Sequence, residues 1–405
     1  MSTDPVCPHN KLSADGYCLA CYEHVPSNEM DSYIQLNSGV SVLKEFARRQ
    51  SETVTSKIIE DQRLVLLLDL DGTVVYTAID QCVPEDAPLQ GADGFVLTVD
   101  GRGHPVRFRS GILAFMRRIV PLYEIHVVTM GRKGYATAIV ERFNALDAQP
   151  FVTGDVLTFE DCENERVDTT HRHDTGKVFE PDSGVVTRMK KGKSPMMGKE
   201  EVQVILDDRV DVWDSRSVVQ VVEWRGQEAD TELDRVAGVL EEIHRRFYAE
   251  DGPHSVPEVL HAMRSGVLAD TRLYFKRPKT PYINPVDFDR WWRVVQDNAR
   301  EMGAEVQPGL VVEGERPTTF VVDGQPLYDV PGVSARWVEM CWIMFRRVPS
   351  GPYEVAAGDA AFAPTTDDDV LEPRRRSLSS ADDSSESADT PEQRRVLALL
   401  MKKFE

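Results

Sequence analysis

The chain has 405 residues, a formal charge of −20 and 41% hydrophobic residues, enough for two or three domains with sizeable cores. That acidity argues against non-specific binding to nucleic acid or anionic membrane, and no apolar run reaches transmembrane length. Met1-Ser-Thr-Asp-Pro has neither the basic region nor the apolar core of a secretory signal. The 6 cysteines are too sparse for a disulfide framework, which suggests a reducing compartment, cytosol or nucleus.

The first cysteines are grouped. Cys7-Pro-His9 and Cys18-Leu-Ala-Cys21 give C-x-H followed by C-x-x-C, with Gly16 just ahead of the second pair. Three thiolates and an imidazole would complete a tetrahedral zinc shell, so Cys7, His9, Cys18 and Cys21 are candidate Zn²⁺ ligands. Residues 25–62 are polar and read as partly helical from Val40 through Ala47, a lead-in to the first long apolar run.

Leu64-Val-Leu-Leu-Leu68 is an aliphatic run of the kind found in a central parallel strand, and it breaks into Asp69-Leu-Asp71-Gly-Thr73. Open α/β sheets bind their ligands at the carboxyl ends of strands. If extended geometry persists, two carboxylates two residues apart face one polar volume, and something cationic should sit there. Phe95–Val99 and Val106–Phe108, separated by Asp100-Gly-Arg-Gly, read as an inserted hairpin. Ser110 is expected to cap an amphipathic helix starting at Ile112 and ended by Pro121. Tyr123–Thr129 is a second buried strand, Tyr135–Leu146 a helix and Phe151–Leu157 a further strand.

Residues 160–193 are polar and read as an insertion over the sheet edge, with His171 and His173 in a solvated loop. A third buried strand, Val202–Leu206, ends in Asp207-Asp208-Arg209, and Val218–Val222 and a helix through Tyr248 come next. Strands alternating with helices indicate a parallel sheet. A second domain begins near Val267, with strands at Thr271–Phe275 and Thr318–Val322, a helix over Phe288–Met302 turning at Gly303-Ala304, and a helix capped by Ser334. Past Pro352 the composition turns to Ser, Asp, Pro and Ala, which cannot bury enough apolar surface to fold, before Pro391–Phe404 regains amphipathic spacing.

Three strand ends thus offer the parts of a phosphoryl-transfer site, where positioning and charge neutralisation carry the chemistry. Asp69 with Asp207 or Asp208 makes an all-oxygen cluster suited to Mg²⁺. Thr129 can donate a hydrogen bond to a phosphoryl oxygen, and Arg109 with one of Lys190, Lys191 or Lys193 would supply positive charge. Each of these alone has a plainer account, a surface turn or a strand-end cap. Their joint occurrence in this order is far more specific.

The D-x-D-G-T string after a hydrophobic strand resembles the first motif of the haloacid-dehalogenase superfamily of phosphotransferases. Together, Asp69–Thr73, Val128-Thr-Met-Gly131 and Ile205-Leu-Asp-Asp-Arg-Val-Asp-Val-Trp213 look like the three motifs of the RNA polymerase II carboxy-terminal-domain phosphatases. Ala299-Arg-Glu-Met-Gly-Ala304 and Trp337-x-x-x-Cys341 match hallmarks of the BRCT domain in the member of that family associated with transcription factor IIF, and the N-terminal cysteines and histidine and the link Ile243–Ala249 also resemble it. The resemblance covers most of residues 7–354. It implies a haloacid-dehalogenase-like α/β parallel sheet with an inserted hairpin, followed by a small α/β BRCT domain. The expected layout is a lead-in over 1–62, a phosphatase domain over 63–250, BRCT over 264–354, an acidic linker over 355–389 and a docking helix over 390–405.

Carried residue by residue, the resemblance implies Asp69 as nucleophile and Asp71 as acid/base, with Thr73, Arg109, Thr129 and Lys191 as further catalytic positions. Asp69, Asp71, Asp207 and Asp208 would hold Mg²⁺. Lys191 is favoured over Lys193 by its distance in sequence from Asp207. Three departures stand out: Ser110 where proline is usual, Phe159-Glu160 in place of an Arg-Asp pair, and Phe275-Lys276-Arg277 where peptide-binding BRCT domains carry Ser/Thr-Gly. The expected function is a Mg²⁺-dependent nuclear protein serine phosphatase that acts on the phosphorylated C-terminal repeats of RNA polymerase II through an aspartyl-phosphate. Its C-terminal helix would bind the large subunit of transcription factor IIF, with neither membrane nor direct nucleic-acid contact. The rivals are another phosphatase of the superfamily, acting on nucleic acid or a metabolite, and a transcription scaffold over a weak phosphatase fold.

Overall fold

The computed structural model describes residues 7–355 apart from 38–39, 79–80, 85–93, 100–101, 169–184, 192–193, 195–196, 228–229, 277–284, 308–318 and 323–331. The chain forms two compact units that meet in sequence at His244 and Arg245. His171, His173, Lys193, Arg277, the acidic linker and the expected helix over Pro391–Phe404 lie outside the described residues.

The first unit begins with a three-stranded antiparallel sheet, in which β1 (Lys11–Ser13) and β2 (Tyr33–Asn37) both pair with β3 (Val40–Leu43). Helix α1 (Lys44–Glu60) follows directly. The expected helix from Val40 is therefore corrected: Val40–Leu43 is β-branched at alternate positions and pairs on both edges, so the helix starts only at Lys44.

All five side chains of β4 (Leu64–Leu68) are fully buried, each contributing about 1.5–3 kcal/mol over an exposed position. β5 (Val75–Thr77), β6 (Gly94–Val99) and β7 (Arg102–Phe108) form a separate antiparallel sheet in the order β5-β7-β6, so the expected hairpin has a third strand. Helix α2 (Ile112–Ile119) buries Ile112, Phe115, Met116 and Ile119, one stripe at helical spacing. Its N-cap is Gly111 in the left-handed conformation at φ 81°, with no side-chain cap bond, rather than Ser110. The chain must reverse sharply out of β7 there, and a positive φ favours glycine.

β8 (Tyr123–Val128) leads into α3 (Lys133–Asn144), and then only Val156–Leu157 of the expected 151–157 strand pairs, as β9. Phe151 instead turns inward onto Phe143, with ring centroids 5.4 Å apart. The insertion is an antiparallel pair, β10 (Glu163–Asp168) and β11 (Val185–Lys190). β12 (Gln203–Asp207), β13 (Val218–Gln220) and α4 (Glu232–Phe247) complete the unit. The main sheet runs β13-β12-β4-β8-β9 with every pairing parallel, and β4 is central, Leu66 lying between Val204 and Ile125. The adjacent strands β12, β4 and β8 therefore deliver their carboxyl ends to one edge.

The second unit has α5 (Val256–Arg264), β14 (Arg272–Phe275), α6 (Pro285–Glu301), β15 (Glu305–Val306), β16 (Thr319–Val322), β17 (Gly332–Ser334), α7 (Ala335–Met344) and β18 (Glu354–Val355). Its sheet order is β15-β14-β16-β17-β18, parallel except at β18. This is the small α/β architecture expected of it. The Ser334 side chain caps α7 by accepting from the Arg336 amide at 3.3 Å. Leu273, Phe288, Trp292, Trp337 and Cys341 share its core, and Phe275 turns into that core edge-on to Trp292. Among the described residues no helix is long and apolar enough to cross a membrane.

Candidate active site

β4 cannot continue past Leu68, because Asp69-Leu70-Asp71-Gly72-Thr73 folds into a tight loop. The amides of Val74 and Val75 both donate to the Leu70 carbonyl, and Trp224 N–H donates to the Gly72 carbonyl. Gly72 sits at φ 82°, and a Cβ there would come 3.0 Å from the Asp208 carboxylate. Only glycine suits both the backbone and the contact.

Asp69, Asp207 and Asp208 each bring a carboxylate oxygen within 4.8 Å of the others. Lys191 stands between two of them, its Nζ donating to Asp69 Oδ1 at 2.5 Å and to Asp207 Oδ2 at 2.7 Å. The cation demanded by the sequence is thus the residue immediately after β11, brought to the sheet by its N–H donating to the Val212 carbonyl. Lys190 turns the other way, onto Asp214 and the Asp211 carbonyl. Asp207 is held on both oxygens, since Oδ2 also accepts from Trp213 Nε1 at 2.7 Å and Oδ1 from the Arg209 amide at 2.8 Å.

Thr73 hangs between the strand ends. Its hydroxyl lies 3.3 Å from Asp69 Oδ2 and 3.4 Å from Asp208 Oδ1, and it accepts from the Asp208 amide at 3.1 Å. Arg109 is buried beneath this loop, where Nη1 donates to the Thr73 carbonyl at 2.9 Å and Nε pairs with Asp230 at 2.6 Å. Its charge is matched by Asp230, so its contact with the loop is through backbone. Thr129, at the end of β8, accepts from the Gly131 amide at 3.0 Å, which leaves its own proton to donate. The Asp71 carboxylate is outside the three-carboxylate cluster, and its Oδ1 accepts from the Tyr135 hydroxyl at 2.5 Å. Tyr135 also shares a hydrogen bond with Thr77 at 2.7 Å.

Burial pushes the Asp69 carboxyl up to about 7, with the Asp207 charge adding to it and Lys191 opposing it. Burial, then Asp207 and Asp69, hold Asp208 well above the carboxylate range. Burial works against the charge on Lys191, but the two carboxylates outweigh it and raise its affinity for the proton. Fully ionised, the three carboxylates would exceed the one ammonium by two negative charges, the balance a divalent cation would complete.

Tyr135 has no signal in the sequence beyond opening a helix, since its spacing matches the other core positions of α3. Trp213 closes the third motif without any local sign of its contact with Asp207, and Asp230 carries no local signal at all. Glu160, where the resemblance offers an Arg-Asp pair, accepts from the Thr158 hydroxyl at 2.7 Å and the Lys133 amide at 3.2 Å, tying the start of α3 to the short turn at Phe159–Asp161.

A second cluster lies in the N-terminal module. Cys7, His9, Cys18 and Cys21 bring their ligand atoms within 4.8 Å of one another. Backbone N–H donors from Cys21 and Ala20 lower the Cys18 thiol to about 6. A backbone donor at Glu23 would lower Cys21, but desolvation and the neighbouring sulfurs of Cys7 and Cys18 prevail and push it to about 11.

Residues 64–251 match the family model of NLI interacting factor-like phosphatases. The RNA polymerase II C-terminal domain phosphatase of Encephalitozoon cuniculi is 26% identical over 360 residues, covering 72% of this chain and 81% of that one. Its Schizosaccharomyces pombe counterpart is 24% identical over 241 residues, 53% of this chain and 30% of that one, so the chain spans less than a third of that relative's length. The human counterpart is 33% identical over 101 residues, 24% of this chain and 10% of that one. Among solved structures, the fission yeast phosphatase Fcp1 bound to beryllium fluoride superposes with a TM-score of 0.53 at 18% identity, over 76% of this chain and all (100%) of that one. A second Fcp1 structure gives a TM-score of 0.51 at 20% identity, over 75% and 99%. The chain is therefore similar along most of its length to RNA polymerase II C-terminal-domain phosphatases, and residues 64–251 within it match the model of NLI interacting factor-like phosphatases.

Proposed function

We propose that this chain is a Mg²⁺-dependent protein serine phosphatase acting on the phosphorylated C-terminal repeats of RNA polymerase II. The observation that carries the reading is the meeting of Asp69, Asp207 and Asp208, at the ends of the adjacent strands β4 and β12, with Lys191 from just after β11. Asp69 attacks phosphorus with a carboxylate oxygen as the bond from phosphorus to the serine oxygen breaks, which leaves an aspartyl-phosphate. Asp71, oriented by Tyr135, gives its proton to the departing serine oxygen. In the second half Asp71 takes a proton from water as the water oxygen attacks phosphorus, breaking the bond to Asp69 and releasing inorganic phosphate. Lys191 fixes the Asp69 carboxylate throughout, and the free hydroxyl proton of Thr129 donates to a phosphoryl oxygen. Asp69, Asp207 and Asp208 would hold Mg²⁺, which supplies the charge neutralisation that lets an anionic phosphate meet an anionic nucleophile.

The substrate assignment draws on the named relatives, and the small β5-β7-β6 sheet in place of a large cap suits an extended polymer. A nuclear location goes with that substrate. Trp337, Cys341 and the turn at Gly303 support reading the second unit as a BRCT domain. The Cys7, His9, Cys18 and Cys21 cluster has donors suited to zinc and takes no part in this chemistry.

A panel of serine-phosphorylated repeat peptides, assayed with Mg²⁺ and with EDTA, tests the reading. Wild type should turn over only with metal and be trapped by beryllium fluoride, and Asp69→Asn should lose at least about a thousandfold in kcat. Turnover in a folded Asp69→Asn protein, or in EDTA, would sink the assignment. We further propose that residues 390–405 dock as a helix on the large subunit of transcription factor IIF, with Val396, Leu397, Leu400 and Phe404 on the bound face. A 380–405 peptide should gain helicity by circular dichroism when that factor is added, and equal binding by a Leu397→Asp/Leu400→Asp peptide would refute it.

A further inference from the structure

We infer that one zinc ion is bound by Cys7, His9, Cys18 and Cys21, and that it adds to the small hydrophobic core of the N-terminal module. The buried apolar cluster around these residues is Leu12, Cys18 and Val25, with Cys7, Cys21, Met30 and Tyr33 packed against it, and Val42 of β3 is buried too. Two of those flanking groups and one buried member are themselves thiols. A core of that size does not hold a module of this length unless a metal or disulfide adds to it.

The cluster's edges fit a tetrahedral ion. Zinc bonded to sulfur and imidazole sets an S–S edge of about 3.8 Å and an S–N edge of about 3.6 Å. Here Cys7 Sγ and Cys18 Sγ are 3.7 Å apart, and Cys21 Sγ is 3.4 Å from His9 Nδ1. A Cys7–Cys18 disulfide would leave Cys21 and His9 facing each other without purpose, whereas one ion uses all four groups.

The surroundings are also those of a metal site. The Ala20 amide points at Cys18 Sγ from 3.4 Å, a contact that favours thiolate. With Nδ1 turned to the cluster, His9 Nε2 faces the Glu23 carboxylate at 3.5 Å, the outer contact that fixes the tautomer of a ligating histidine. The Tyr33 hydroxyl donates to the His9 carbonyl at 2.9 Å. Four protein ligands close the shell, which makes the site structural rather than catalytic. Its mechanical effect reaches α1: the next residue, Asn10, accepts from the Leu43 amide at 3.0 Å, and Leu43 is the N-cap of α1.

The test uses the full chain, purified without chelator. Elemental analysis should give one zinc per chain, lost in Cys18→Ser and Cys21→Ser but kept in Cys162→Ser and in Asp208→Asn, which alters the other cluster. Cobalt replacement should give the intense bands of tetrahedral cobalt with thiolate charge transfer. Glu23→Gln should retain zinc at about tenfold weaker affinity in competition with a chromophoric chelator. A zinc-selective chelator in excess Mg²⁺ should open trypsin cleavage after Lys11. Should Cys18→Ser fail to fold, His9→Cys keeps four ligands and should stay zinc-loaded with an altered cobalt charge-transfer band. Zinc-free protein that resists trypsin at Lys11, a Cys7–Cys18 disulfide in native protein, or full zinc in folded Cys18→Ser would each overturn the inference.

Discussion

Replacing Lys191 by methionine removes a charge while keeping most of the volume, and the geometry sets the size of the effect. Its ammonium lies 2.5 Å from Asp69 and 2.7 Å from Asp207, and the three side chains are 3%, 6% and 1% exposed. Breaking a buried pair by deleting one partner costs about 3–5 kcal/mol, because the remaining charges lose compensation. In a unit of this size that lowers Tm by about 6–20 °C in EDTA near pH 8. The loss should depend on pH with a definite sign. Asp69 already titrates at about 7 in the folded protein, above the ordinary carboxylate value of 3.8, so the native state binds the extra proton. Its contribution to stability is complete below the ordinary value and disappears as pH rises through 7. Without Lys191 that dependence steepens, so the penalty at pH 8 should shrink toward pH 6 by up to about 1.4 kcal/mol per unit. Mg²⁺ should restore much of the melting temperature, since a divalent ion can take over the compensation. Thermal melts of wild type and Lys191→Met, at both pH values with EDTA or Mg²⁺, read all of this. A variant that melts like wild type in EDTA at pH 8, or whose loss is the same at pH 6, would refute the electrostatic account.

Gly72→Ala forces an L-residue to φ 82° and sets its Cβ against Asp208, so we expect about 1–2 kcal/mol lower stability and a raised Mg²⁺ requirement. An unchanged metal titration would show that the contact is unimportant. Tyr135→Phe removes the hydroxyl that donates to Asp71. A poor leaving group such as a peptide serine depends on proton delivery, whereas p-nitrophenolate does not, so phosphopeptide turnover should fall about tenfold with little change on p-nitrophenyl phosphate. Equal losses on both substrates would instead mark Tyr135 as a packing residue.

The parts visible in the sequence are those that local pattern determines. Leu64–Leu68 could only be a strand buried on both faces, and Asp69 just beyond it had to face a cation, whereas Asp71 faces Tyr135 instead. Which lysine supplied it was open among three, and pattern alone could not choose. The structure separates Lys190 from Lys191 because neighbouring residues of an extended segment face opposite sides. Asp230 and Tyr135 stayed hidden because their partners, Arg109 and Asp71, are reached across 121 and 64 residues. Ser110 had the chemistry of a cap, but the sharp exit from β7 placed the chain reversal one residue later, where only glycine is comfortable. Val40–Leu43 carried apolar spacing compatible with either period, and pairing with β1 and β2 decided for strand.

The long ties across the first unit have a bearing on how the chain is made. Lys191 meets Asp69 across 122 residues, Asp208 meets Thr73 across 135, and Arg109 meets Asp230 across 121. A ribosome exposes Asp69, the proposed nucleophile, well before Lys191, Asp207, Asp208 and Asp230. Over that interval Asp69 is an ordinary aspartate at the end of a hydrophobic segment, without its buried cation. Contacts of such separation form slowly, and the unpaired edges of β4 stay open to other chains until β8 and β12 arrive. A chain released before Asp230 would carry the whole D-x-D-G-T motif and yet be both inert and prone to aggregate.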